Sequence, residues 1–210
     1  MKVDAIPKFY LVDDKSSDGT TELIRDKLSC ENDVLPVYLA KRVGQVGAIV
    51  VGLKKCEQHN PIIVTSADGQ DSAESVARLI VVWKERQVDM VIAKRNKDSQ
   101  VNLNNFHRIV SFFYHRYPTS GFDMVLVSRV LVDKLLSGKP IRFLQIDMLL
   151  EARSVSYIDY AKQNRLAGHS QWSLKSRILY ALTFIFYYTL VIDLIVLGLL
   201  SLLFSISLLY

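Results

Sequence analysis

A β-prone apolar run, Lys8-Phe9-Tyr10-Leu11-Val12, gives way to Asp13-Asp14-Lys15-Ser16-Ser17-Asp18-Gly19-Thr20 and then to Glu22–Leu28, which has helical spacing and charge. A strand that passes to a helix through an acidic, glycine-containing turn is the repeating unit of open α/β sheets, which bind ligands at the carboxyl ends of their strands. Asp18 or Thr20 can cap the helix, while Ser16, Ser17 and Gly19 turn the chain. Those roles account for the small residues. They do not account for adjacent Asp13 and Asp14, whose mutual repulsion favours a ligand or cation at this turn over a purely structural one.

The alternation continues along the chain. Val34–Leu39 reads as a second strand, Ala48–Leu53 as a buried helix after Gly44 and Gly47, and Pro61–Thr65 as a third strand. A helix is expected over Ala73–Glu85, with Val76, Leu79, Ile80 and Trp83 on one face, followed by a fourth strand at Asp89–Ala93. Strands alternating with helices imply a mostly parallel, three-layer α/β domain. Asn96–Asn105 is polar and aperiodic and reads as a mobile loop, His107–Tyr114 as an apolar-aromatic helix, and Val125–Leu136 as a helix or strand-helix unit.

Composition changes near the end. From Ile178 to Tyr210 the one ordinary acid or base is Asp193, and Leu194–Tyr210 is apolar apart from Gly198, Ser201, Ser205 and Ser207. Roughly 17 to 25 apolar residues suffice to cross a bilayer, so a membrane segment is expected at 193–210. Lys162, Arg165, Lys175 and Arg177 precede it as a basic flank, which places the polar part on the cytoplasmic side. The aromatics Phe184, Phe186, Tyr187 and Tyr188 suit a helix lying in the membrane interface. The expected organisation is a cytoplasmic domain over 1–165, a juxtamembrane region over 166–192 and the membrane segment. The charged and polar opening residues do not read as a signal peptide. The formal net charge of +5 is dispersed and no nucleic-acid motif accompanies it, so anionic lipid or phosphate is the expected partner. Two cysteines, Cys30 and Cys56, read as reduced and structural.

The third strand ends in Ser66-Ala67-Asp68-Gly69-Gln70-Asp71, at the same sheet edge as the first acidic turn. Clustered hard oxygens beside a diphosphate are what Mg²⁺ or Mn²⁺ requires. The same residues also suit a helix start, with Asp71 or Ser72 as cap and Glu74 favouring the helix dipole.

Together the two acidic turns resemble family 2 glycosyltransferases of the GT-A fold, specifically the polyprenyl-phosphate glycosyltransferases related to dolichol-phosphate mannose synthase. Four stretches, read in order, carry the likeness. Ala40–Ala48 is similar to the family's basic, glycine-containing segment, and Ser66–Asp71 to its Asp-x-Asp metal segment. Gly121–Arg129 is similar to its acceptor-side segment, and Arg165–Ser173 to the Arg-x-x-Gly-x-Ser segment ahead of the membrane helices.

The resemblance implies a GT-A, Rossmann-like sheet flanked by helices, then an interface helix and a transmembrane helix. It puts Asp13, Asp14, Ser17, Asp18, Arg42, Gly44 and Asp68 on the nucleotide-sugar side, and Asp68 and Gln70 on Mg²⁺ or Mn²⁺. Arg95, Arg129, Arg165 and Ser170 would hold acceptor phosphate, with Asp123 as the assisting carboxylate. His169 reads as a surface residue and Trp172 as an interfacial anchor. The implied activity is inverting transfer of a sugar, from a donor of the UDP-sugar kind, onto undecaprenyl or related polyprenyl phosphate for cell-envelope glycan synthesis. The setting would be a membrane of the bacterial inner type, and a homo-oligomer is left open.

The chain departs from the pattern at Ser66 for the first Asp, Gly69 for a common Leu, and Ser72-Ala73 for a frequent Pro-Pro. Relatives also carry a strand-helix unit before the first acidic turn and commonly two membrane helices. A second reading is a shortened, catalytically impaired relative that binds a nucleotide or partner at the membrane. A soluble Mg²⁺-dependent phosphohydrolase is the third, and it leaves the apolar end unexplained.

Overall fold

The computed structural model describes residues 7–28, 32–56, 61–95, 105–163, 174–189 and 191–207. The chain divides into two compact units, one of Met1–Gln100 with Gly121–Leu166, the other of Val101–Ser120 with Ala167–Tyr210.

In the first unit β1 (Phe9–Asp13), α1 (Thr20–Leu28), β2 (Val34–Tyr38) and α2 (Gly44–Lys55) come first. β1 and β2 form a parallel pair of their own, with Leu11 opposite Pro36. Proline has no N–H to donate, so Pro36 suits a strand with a single neighbour. α2 lies close on β1: a Cβ at Gly52 would sit 3.2 Å from Val12 Cγ2. The expected buried helix is longer and less buried than its apolar run suggests, since Leu53 is its one fully buried residue.

The larger sheet contains β3 (Ile62–Val64), β4 (Met90–Arg95), β5 (Val125–Val127) and β6 (Val155–Tyr160) in the order β3-β5-β4-β6. β4 is central, and Met90–Ala93 are completely buried, as an unbroken apolar strand requires. α3 (Ala73–Arg86) covers one face, burying Leu79 against Val91, Ala93, Met124, Leu126 and Ile158. Ser72 caps α3 by accepting from the Ser75 N–H at 3.2 Å, and Gln87 closes it in a left-handed conformation. α5 (Arg129–Ser137) and α6 (Leu144–Glu151) complete the unit.

Two features differ from a mostly parallel sheet. β5 runs antiparallel to both β3 and β4, and the strands form two sheets. The reading of Val125–Leu136 as strand then helix holds, whereas α6 and β6 were not anticipated. β6 pairs parallel with β4 from Met90↔Val155 to Arg95↔Tyr160.

In the second unit α4 (Asn105–Phe113), α7 (Leu174–Tyr188) and α8 (Val191–Ser207) are helical. Phe184 is its buried hub. Phe106, Phe113 and Tyr114 meet Phe184 edge-on, Tyr188 stacks on it, and the Tyr114 hydroxyl donates to the Tyr188 carbonyl at 2.9 Å. α8 has 17 residues, about 25 Å of helix against roughly 30 Å of hydrocarbon. Among the described residues no single helix is long and apolar enough to cross a membrane; Ala181–Tyr188 and Asp193–Ser201 meet that test only jointly, bent by 65°. The loop read over 96–105 lies outside the described residues except for Asn105, which begins α4.

Candidate functional site

The direction of β5 decides which residues meet. Val125 pairs with Val64 and Ile92, near the carboxyl ends of β3 and β4, while Val127 pairs with Ile62 and Met90 at their amino ends. Asp123, just before β5, therefore reaches the edge where β3 delivers Asp68, β4 delivers Arg95 and β6 delivers Tyr160 and Lys162. Arg129, just after β5, goes to the opposite edge.

Arg129, expected on acceptor phosphate, is thus placed apart from Arg95 and engaged with the protein itself. Its guanidinium pairs with Asp133 at 2.6 Å and donates to the carbonyls of Leu53 at 3.5 Å and Cys56 at 3.2 Å, closing the end of α2. The Cys56 thiol is buried there and pushed up by that burial, which keeps it protonated and fits the structural reading.

At the first acidic turn both carboxylates are engaged within the protein. Asp13, buried, accepts from the Ser16 hydroxyl and the Thr21 hydroxyl, each at 2.5 Å, and from the Ser16 N–H at 3.1 Å. The Ser16 and Thr21 hydroxyls hold its carboxyl below the ordinary range against the opposing effect of burial. Asp14 accepts from the Val43 N–H at 2.7 Å and the Gly44 N–H at 2.8 Å, so it caps α2 across 30 residues of sequence. Gly44 has φ of 79°, a conformation glycine adopts without strain. Asp18 accepts from the Thr20 N–H and hydroxyl, at 3.2 and 2.6 Å, as the capping reading expects. Ser17 and Arg42 are exposed nearby in sequence. The repulsion that suggested a ligand is thus relieved by donors of the fold itself.

Removing the α2 cap has a predictable cost. Asp14→Ala leaves two helix N–H groups without their carboxylate and is expected to lower stability by about 1–2 kcal/mol, read as a fall in melting temperature, with Asp14→Asn losing less.

The second acidic turn is knit together by hydroxyls. Ser66 Oγ donates to Asp68 at 2.9 Å and to Asp71 at 3.2 Å, and Thr65 Oγ1 donates to Asp71 at 2.6 Å. Gln70 Nε2 donates to the Gln163 carbonyl at 2.8 Å, and the Gln163 N–H donates to the Gln70 carbonyl at 3.0 Å. That double tie joins the turn to the segment after β6. Among the described residues no group of three or more His, Cys, Asp or Glu side chains is arranged to hold a metal ion.

The centre of the edge is Asp123. Its Oδ2 accepts from Arg95, and from Lys162 Nζ at 2.7 Å. Burial pushes the Asp123 carboxyl up, but the charges of Arg95 and Lys162 outweigh it and hold the group below the aspartate range. The Tyr160 phenol is pushed well up, by burial first and then by the Asp71 and Asp123 carboxylates. Tyr160 Oη, Asp71 Oδ1 and Arg95 Nε are buried with no hydrogen-bond partner among the described residues. This edge thus carries a fixed ion cluster, two cations on one carboxylate, beside an oxygen-rich acidic turn.

Sequence reasoning assigned Lys162 to the basic membrane flank, yet its side chain is only 11% exposed and paired with Asp123. Tyr160 was missed outright. The available signal was the alternation in Val155-Ser156-Tyr157-Ile158-Asp159-Tyr160, which marks β6 and its exit toward the edge. Arg165, His169, Ser170 and Trp172 lie outside the described residues.

Comparison with known proteins gives a consistent picture. The family described as Glycosyl transferase family 2 matches over residues 7–130. Over 71 residues the chain is 39% identical to an Undecaprenyl-phosphate 4-deoxy-4-formamido-L-arabinose transferase of Aeromonas hydrophila subsp. hydrophila, covering 33% of this chain and 22% of that protein. It is also similar in fold to S. aureus TarS 1-349, solved in complex with UDP-GlcNAc. The TM-score is 0.55 at 17% sequence identity, covering 85% of this chain and 57% of that one. The matched region thus spans about a fifth of the curated relative and somewhat over half of the TarS chain.

Proposed function

The chain belongs to glycosyl transferase family 2, and from that premise we propose that it is a membrane-associated inverting glycosyltransferase moving a sugar from a nucleotide donor, of the UDP-sugar kind, onto a polyprenyl phosphate. The observation that carries this reading is the joint placement of Asp68, Arg95, Asp123 and Lys162 at one sheet edge. An acidic turn for a diphosphate and its cation lies beside two cations suited to an anionic acceptor.

In the proposed reaction an acceptor phosphate oxygen attacks the anomeric carbon as the bond from that carbon to the nucleoside diphosphate breaks. The acceptor oxygen is already anionic at neutral pH, so orientation and charge compensation matter more than proton removal. Arg95 and Lys162 suit that task, Arg95 through paired N–H donors. Asp123, ionised and held low by both, fixes their position rather than accepting a proton.

The donor set of the second turn fits a hard cation. Asp68 and Gln70 offer oxygens, the orphaned Asp71 Oδ1 offers another, and Mg²⁺ commonly takes one or two carboxylates with the rest from substrate phosphates. When bound there, Mg²⁺ or Mn²⁺ would offset charge on the departing nucleoside diphosphate. The apolar α8, with Leu194–Leu200 all exposed, and the aromatic α7 support attachment to the membrane, where the lipid tail of the acceptor resides.

The test is incubation of membranes carrying the chain with radiolabelled nucleotide sugars and undecaprenyl phosphate, with and without Mn²⁺. A metal-dependent lipid-linked product is expected, and absence of product with every common donor overturns the proposal. One observation favours the impaired-relative reading: Ser66, a neutral donor, stands between Asp68 and Asp71 where the family pattern has an acid. Titration calorimetry with UDP, GDP and Mn²⁺ separates the two, because nucleotide binding without transfer is its signature.

A further inference from the structure

α4 is amphipathic, with an apolar arc wider than the part of it that packs inward. One side, Phe106, Val110 and Tyr114, faces into the second unit, where Phe106 and Tyr114 meet Phe184 and Val110 is completely buried. Next to it, Ile109 and Phe112 are 48 and 74% exposed at i, i+3 spacing, while Phe113, 41% exposed, lies at the border and also meets Phe184 edge-on. His107, Arg108 and Ser111 fill the remaining arc, and a helix with an open apolar edge beside a polar, basic one suits a membrane interface.

The neighbouring α7 repeats the arrangement. Phe184 is buried, while Leu179, Leu182, Phe186 and Tyr187 are exposed. Charge follows the same division. Across the whole second unit, residues 101–120 and 167–210, the strong charges are Arg108, Arg116, Lys175 and Arg177 against the single acid Asp193. Arg108, on α4, and Arg116, three residues past its end, are exposed. An open edge of isoleucine and phenylalanine accompanied by arginine, with no acid between Val101 and Phe122, is complementary to an anionic lipid surface.

We propose that α4 is a lipid-contacting helix, whose Ile109 and Phe112 enter the headgroup and acyl boundary of an anionic bilayer while Arg108 and Arg116 meet lipid phosphates. It rests on the membrane attachment proposed above and adds to it an element drawn from mid-sequence, between β4 and β5. The lipid surface then touches the chain next to the segment that leads, through Phe122, into Asp123.

The test places an environment-sensitive fluorophore on Phe112→Cys in the full chain, in a Cys30→Ala background with buried Cys56 left in place, reconstituted into phosphatidylcholine vesicles with and without phosphatidylglycerol. Exposed Glu85→Cys on α3 is the control. Nitroxide-bearing lipid is expected to quench the Phe112 position about threefold more than the Glu85 position, with aqueous iodide showing the reverse order. Arg108→Glu with Arg116→Glu is expected to reduce lipid quenching in the phosphatidylglycerol vesicles and leave it nearly unchanged without that lipid. Equal iodide quenching at both positions overturns the proposal. So does protection of Phe112 from both quenchers, which would mean that protein covers the face. No substrate is involved, so a chain that fails to transfer sugar but is quenched by lipid leaves this proposal intact while overturning the catalytic one.

Discussion

Asp123→Asn is expected to lower sugar transfer by about 100-fold and to destabilise the chain by about 3 kcal/mol. The reason is that one carboxylate oxygen serves two cations. Arg95 and Lys162 both end on Oδ2, and both side chains are largely shielded from water. A neutral amide leaves two positive charges facing each other with no anion between them, which costs more than the lost pair itself. The second half of a double-mutant cycle separates stability from activity. Asp123→Asn combined with Lys162→Gln removes one of the unpaired cations, so melting temperature is expected to recover in part while transfer stays low. Acid titration gives an independent reading. Because the folded-state carboxyl is held below its ordinary range, its stabilisation is present above the unfolded-state pKa and is lost as pH falls through the folded-state pKa. Wild type should therefore lose stability on acidification more steeply than Asp123→Asn, and matching acid profiles would mean that the cluster contributes nothing.

What the sequence disclosed and what it concealed follow the range of the interactions. β1, its turn and α1 were legible because side-chain period, a glycine at positive φ and an Asp cap all act within a few residues. α3 was legible for the same reason, through Ser72 and the Val76-Leu79-Ile80-Trp83 stripe. The orientation of β5 was not, since a three-residue strand carries no mark of the direction in which it pairs. That one reversal sets Asp123 at the edge shared with Asp68 and Arg95, and Arg129 at the opposite edge. Asp13 and Asp14 were correctly singled out as carboxylates needing compensation, but Asp14 finds its donors 29 and 30 residues away, beyond any local pattern. Lys162 illustrates the same limit for charge. Composition shows a cation near an apolar end, whereas only the fold shows that its partner, 39 residues earlier, is Asp123.

Ser66→Asp is expected to change the second acidic turn in opposite directions depending on metal. In the wild type the Ser66 hydroxyl donates to both Asp68 and Asp71, which lets two carboxylates lie close without a cation. An aspartate there withdraws the donor and adds a third negative charge within a few ångströms of the other two. At an effective dielectric constant of about 20, two unit charges about 4 Å apart repel by about 4 kcal/mol, so even after side chains swing apart the metal-free variant should lose about 2 kcal/mol. Mn²⁺ reverses the sign, because the same three carboxylates then form a harder, more highly charged ligand set. Melting curves in EDTA and in Mn²⁺ check this directly. The variant should melt below wild type without metal and gain more from Mn²⁺ than wild type does, with at least about tenfold tighter binding, equivalent to about 1.4 kcal/mol. Equal melting temperatures in EDTA would show that the three side chains do not converge. A metal-free loss with no recovery in Mn²⁺ would remove the turn as a cation site and leave Ser66 as a hydroxyl that simply holds two acids in place.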